Sequence, residues 1–290
     1  MFFTISDVML LSKRIKSTPR LISEELRGWN WNEPPIYPSS NTLLNVSDLT
    51  NGFCQTQRYV YLKYKGNKVE VKPGLGSVIH QTYAEAIQTL KKLIYENENI
   101  DGNRIKTLMS DIFYDFSKNM TYVETSKILW DYITDIYAAE VNKVRGKLYL
   151  TRDSMVSLVI PFYVEFPIDG SAIGLQQAIR ADAFIPSIQL IAEMKTGKFR
   201  HAHELALAGY SLAYESQYEI PMDFGYLCYV NVDDGKVMNN CRLIPINDSL
   251  RTEFLEERDK ALESIDKNVD PGLPKKCDNE CPFLSLCKSS

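Results

Sequence analysis

Asp182 and the triplet Glu193-Met194-Lys195 place two carboxylates and one ammonium on neighbouring short segments. Paired acids hold a divalent cation through hard oxygen ligands, and a lysine beside them steadies a hydroxide or the charge of a phosphate under attack. Those are the parts of a metal-dependent phosphodiesterase, with Asp182, Glu193 and the Met194 carbonyl as ligands and Lys195 as the catalytic cation. Histidine is scarce: only His80, His201 and His203 occur. An imidazole suits manganese and other transition metals better than calcium, so His80 is a further candidate ligand. The plain alternatives are two surface strands with ordinary charges and a helix histidine bonded to a carbonyl.

The elements that must position these groups are legible. Residues 178–185 (AIRADAFI) and 189–195 (QLIAEMK) read as strands, with Pro186-Ser187 as the turn. So tight a connection favours an antiparallel hairpin. Glu193 and Lys195, two apart, share one face, and Met194 points to the other. Asp182 falls at a cross-strand position near Glu193. His80 lies in Gly76-Ser77-Val78-Ile79-His80, at the start of an amphipathic helix running to about Glu96. A second helix, predicted over 201–216, turns Tyr210 back toward the strand ends.

Gly76-x-x-x-His80, Asp182, Glu193-x-Lys195 and Tyr210 together resemble the RecB-type branch of the PD-(D/E)XK nucleases. Arg180-Ala181-Asp182 stands in place of the Pro-Asp of that name. Members of this branch usually carry a glutamine one helical turn before the tyrosine, where this chain has Ala206; His203 is the residue placed to substitute for it. The resemblance implies a restriction-endonuclease-like α/β fold, a mixed sheet flanked by helices, and a DNA-orienting role for Tyr210.

The six cysteines are Cys54, Cys228, Cys241, Cys277, Cys281 and Cys287. The last three form C-x3-C-x5-C in a short, polar, turn-rich tail that cannot build its own core. A cluster or a metal explains them, and Cys54 is the best candidate for the fourth ligand. Cys228 and Cys241 fall in strand-like runs and read as buried apolar thiols. The arrangement resembles the RecB-like nucleases with an iron–sulfur staple, in which one cysteine precedes the nuclease core and three follow it. That likeness implies a 4Fe–4S cluster tying the N- and C-terminal parts together; tetrahedral zinc is the rival.

The Gly-x-x-x-His helix, a Cys54 helix ending in Arg58, an aromatic N-terminal stretch with Arg27-Gly28-Trp29 and the cysteine triad occur in one order along nearly the whole chain. In that combination it resembles the CRISPR-associated RecB-like exonucleases, most of all the Csa-one subfamily of archaeal type I-A systems. The resemblance implies a DNA exonuclease acting 5′ to 3′ on single strands with manganese or magnesium. It also implies that the chain trims DNA ends before CRISPR integrase proteins insert them as new spacers. The alternatives are a non-catalytic DNA-end-binding scaffold of the adaptation complex and a repair or restriction nuclease of the same fold.

Composition agrees with one elaborated domain. The chain has 290 residues and a net charge of −4, which argues against a dedicated DNA-coating protein. Candidate positive ground includes Lys195, Lys198, Arg200, Lys91-Lys92 and the 143–147 stretch. The opening residues lack a cleavage-site pattern and no apolar run is long enough to span a bilayer, so a cytoplasmic location without membrane is expected. Residues 1–45 read as an N-terminal arm and 46–290 as the nuclease domain. Within that domain, a helical insertion covers about 97–145, strands fill 155–196 and 224–246, and the cysteine segment is 271–290. A last helix is capped at Asn247 or Asp248.

Overall fold

A computed structural model describes all residues except 21, 68, 70–72, 147–149, 280 and 290. Lys147 of the expected positive ground therefore lies outside the described residues. The chain opens with α1 (Ile5–Ser17), started by a Thr4–Asp7 capping box. Two short helices follow, α2 (Val46–Thr50) and α3 (Arg58–Tyr64), then α4 (Leu75–Glu96), α5 (Gly102–Phe116), α6 (Val123–Arg145) and α7 (Arg152–Val159). The strands are β1 (Tyr163–Ile168), β2 (Ile179–Ile185) and β3 (Leu190–Lys195). After α8 (Ala202–Tyr218) come β4 (Phe224–Asp233) and β5 (Lys236–Pro245), then α9 (Asp248–Asp266) and α10 (Leu284–Ser289).

The five strands form one mixed sheet in the order β1-β2-β3-β4-β5. β3 and β4 are parallel, and the other neighbours are antiparallel. The parallel pair needs a crossover, and α8 supplies it. The sheet separates two apolar layers. On one side, α1 and α4 to α7 pack against Ala183, Ile185, Ala192, Met194 and Val230. On the other, α2, α3, α8 and α9 pack against Phe184, Ile191, Leu227 and Tyr229. Period-two alternation along β3 thus sends Met194 into one core and leaves Glu193 and Lys195 for the α8 side. The first 45 residues enter both layers: Phe3 and Leu11 join the first, Leu26, Ile36 and Leu44 the second.

Three sequence expectations are corrected. Strands were expected from residue 155, but Arg152–Val159 is helical. Thr151 accepts from the Ser154 N–H and Asp153 sits in the first turn, so the cap decides against the β-branched residues. Cys54 was placed on a helix ending in Arg58; instead α2 stops at Thr50 and Arg58 begins α3. Positive φ at Gly52 and Gln57 breaks the run and leaves Cys54 in the connecting loop. Cys228 and Cys241, expected as separate thiols, form a disulfide. The antiparallel register sets them directly opposite each other, with Cα atoms 4.0 Å apart, a pairing that only strand register decides.

Candidate active site

The expected hairpin is present. β2 and β3 pair antiparallel with Ala183 opposite Ala192, which puts Asp182 opposite Glu193 one step along. Asp182 is buried and fully engaged: Oδ1 lies 2.9 Å from His80 Nδ1, and Oδ2 accepts from the Met194 N–H at 2.7 Å. Lys195 Nζ donates to Glu193 Oε1 at 2.7 Å. The other oxygen, Glu193 Oε2, is buried without a hydrogen-bond partner among the described residues. His80 reaches the sheet because α4 crosses the end of β3 closely. A Cβ on Gly76 would stand 2.8 Å from Thr196 Oγ1, which is why glycine opens the Gly-x-x-x-His turn.

The two acids are electrostatically unequal. Burial and the Asp182 charge push Glu193 up to about 7, against the pull of Lys195. Burial opposes Asp182 ionisation too, but His80, Lys195 and the Met194 N–H bring it below the usual aspartate range. Burial likewise works against His80 and Lys195, and the carboxylates overcome it and raise both. The cluster therefore keeps one acid ionised and the other reluctant, the behaviour of paired carboxylates short of positive charge.

Tyr210 is buried on α8, its phenol pushed far up by burial and by the charges of Glu193, Asp182 and Glu165. Ala206 is fully buried in the same helix. His203, one turn earlier, is also buried, its Nδ1 2.7 Å from the Tyr229 hydroxyl. Burial, Lys195 and Arg200 push His203 down to about 4, so it is neutral at physiological pH. His80, Lys195 and His203 line one cavity of about 870 Å³.

Sequence reasoning missed Glu165. In the sequence it stands out only as a charge interrupting an apolar run. In the sheet, Val164 pairs with Ala183 and Phe166 with Ala181, so Glu165 faces Asp182 from β1. Its φ of +50° is rare for a residue with a side chain. Burial and Asp182 raise its carboxyl, while Arg180 and His80 oppose them. The available signal was strand parity: a carboxylate on the strand next to Asp182.

The cysteines also come together. The Cys281 thiol is raised by burial and then by the charges of Cys54 and Cys277; Cys287, raised first by burial, senses Cys281, Cys54 and Cys277. Cys54 and Cys281 pack against the core layer that contains Cys287. Arg58 holds this end closed, donating to the Cys287 carbonyl at 3.0 Å and to both oxygens of Asp270. Among the described residues, no three histidine, cysteine or acidic side chains already converge in metal-ligand geometry. The donor sets nevertheless fit their expected groups: a buried carboxylate oxygen without a partner among the described residues for a hard cation, and four free thiols for a thiolate-ligated centre.

A five-stranded mixed sheet between helical layers, with a buried acid pair, a lysine and a histidine at one end, defines an α/β protein with a charged site at its strand ends. The chain belongs to the family described as CRISPR-associated exonuclease Csa1, whose family model matches residues 1–290. A CRISPR-associated exonuclease Csa1 of Saccharolobus solfataricus is 56% identical over 99% of both chains. One from Thermoproteus tenax is 28% identical, again over 99% of both. A solved structure, the crystal structure of SSO0001, aligns with 59% of this chain and 83% of its own at 15% identity. Its TM-score of 0.21 is too low to carry an argument. No helix among the described residues is long and apolar enough to cross a membrane.

Proposed function

We propose that this chain is a metal-dependent DNA exonuclease of the PD-(D/E)XK type, acting 5′ to 3′ on single strands. In this reading it prepares DNA ends for CRISPR spacer acquisition in the cytoplasm, alongside integrase proteins. The observation that carries the proposal is Glu193: a buried acid with one unpartnered oxygen, facing Asp182 and flanked by Lys195 and His80. Membership of an exonuclease family supports it.

Asp182, Glu193, the Met194 carbonyl and His80 would hold manganese or magnesium. Such a cation supplies Lewis-acid polarisation of the phosphate and a more acidic water. The protein side chains do the rest. Lys195, whose ammonium is stabilised by both acids, offsets charge on the phosphorus under attack. Tyr210 closes the floor of the site and orients the strand. Neutral His203, fixed by Tyr229, occupies the rim near Lys195 and offers a hydrogen bond without adding charge. Cys54, Cys277, Cys281 and Cys287 would ligate a 4Fe–4S cluster that staples residues 46–58 to the 271–290 tail; an anaerobic absorption spectrum with metal analysis separates iron from zinc.

The test is digestion of 5′-labelled single-stranded DNA with manganese. Glu193→Ala should lose at least about a hundredfold in rate, the scale of losing a metal-site group. Undiminished cleavage by that variant would dismiss the site. Absence of cleavage by the parent with DNA binding retained would favour the scaffold reading.

A further inference from the structure

The cavity that holds His80 and Lys195 does not end at the acid cluster. Two of its lining residues, Phe53 and Arg200, also line a second cavity of about 500 Å³. The far wall of that second cavity is the cysteine-bearing tail, with Lys276, Cys277 and Asn279. Lys195, Lys198, Arg200 and Lys276 line these two adjoining cavities; Lys195 is paired with Glu193 and Arg200 with Asp278, and Asp278 is the acid among the described lining residues. In a chain of net charge −4, that concentration of positive charge is local. It marks a surface built for a polyanion.

At the junction the guanidinium of Arg200 lies 5.5 Å from the centre of the Phe53 ring. Both residues are tied to their surroundings. Arg200 bonds Asp278 at 2.8 Å and the Gly52 carbonyl at 3.2 Å. The Phe53 N–H donates to Asn51 Oδ1 at 2.8 Å, in a turn made possible by Gly52 at φ +68°. An aromatic face and a planar cation, pre-positioned in a basic hollow, are what unpaired bases stack on. A duplex keeps its bases stacked on each other and has no free face to offer.

We infer that a single strand leaving the acid cluster runs along this hollow, stacks a base on the Phe53–Arg200 step and meets the cysteine tail at Lys276. The inference rests on the nuclease reading above and extends it. It makes the tail a wall of the DNA track as well as a staple, since Arg200 ties the two cavities to Asp278.

The experiment uses the full-length protein with two probes. One is a labelled oligothymidylate of about 16 nucleotides, long enough to span such a track; the other is the p-nitrophenyl ester of thymidine 5′-phosphate, which needs only the acid cluster. Phe53→Ala and Lys276→Glu should each weaken oligonucleotide binding about tenfold, the scale of one stacked base, with ester hydrolysis unchanged. Phe53→Trp, which keeps a π face, should retain affinity. Lys276→Glu should also flatten the salt dependence. Parent-like oligonucleotide affinity in both disruptive variants would overturn the track while leaving the nuclease reading intact. Loss of ester hydrolysis together with binding would overturn it as well, by showing a general defect. A parent that neither binds the oligonucleotide nor hydrolyses the ester would sink the nuclease reading and the track together.

Discussion

Glu193 and Glu215 are both buried acids, one at the end of β3 and the other on α8. Glu215 accepts from Arg27, from the Gly28 and Met222 N–H groups, and from two nitrogens of Arg251, all at 2.6–2.9 Å. Arg27 also pairs with Asp223 at 2.6 Å. The network pins the N-terminal stretch to the helix so closely that a Cβ on Gly28 would meet the Leu212 carbonyl. Glu193 has one lysine and an empty oxygen. Both oxygens of Glu215 are filled from within; at Glu193, among the described residues, one oxygen is left without a partner. That difference separates a structural acid from the candidate functional one better than burial does, because burial is common to both.

The comparison can be broken most directly at Glu215. Its replacement by Ala leaves the buried Arg251 charge without its acid, and should cost about 3–5 kcal/mol of stability, read as a lower denaturation midpoint. A stability near the parent's would show that the network is not structural. The opposite sign is expected at Glu193. A carboxyl raised to about 7 keeps its proton in the folded chain after the unfolded chain has lost it. Parent stability, measured in chelator, therefore falls as pH rises from about 4.5 to about 7 and stays low above that window. Glu193→Gln has no such group, so it should exceed the parent by about 1–2 kcal/mol at pH 8 and converge with it near pH 5. A destabilised Gln variant at pH 8 would place Glu193 with Glu215. The smallest effect sharpens the contrast: manganese at about ten times its dissociation constant should stabilise the parent by about 1.4 kcal/mol, observed as a raised melting temperature. The same addition should leave Asp182→Asn unmoved; an equal rise in that variant would put the cation elsewhere.

A good part of the site was legible because strand periodicity is local. The spacing of Glu193 and Lys195, the Pro186-Ser187 turn and the alternation at Met194 already require two charges on one face and an apolar residue on the other. Helix starts were equally readable where a cap marks them, as at Asn247, which accepts from the Leu250 N–H. Where a cap and a β-branched run disagreed, at Thr151–Val159, the apolar run misled and the cap won.

What the amino-acid order determined by itself was the set of groups available: two acids, a lysine and a histidine as a candidate site, and four thiols divided between distant stretches. Tertiary structure alone decided which groups share charge. The approach of α4 at Gly76 couples His80 to Asp182, the β1–β2 register faces Glu165 toward the same acid, and the β4–β5 register joins Cys228 to Cys241. It also settled which acids are satisfied, since Arg251 and Arg27 close on Glu215 from positions far away in the chain while, among the described residues, none closes on Glu193 Oε2. The reason is physical: local order fixes the direction of a side chain relative to its own strand or helix, whereas desolvation and charge coupling depend on what the rest of the fold brings within a few ångströms.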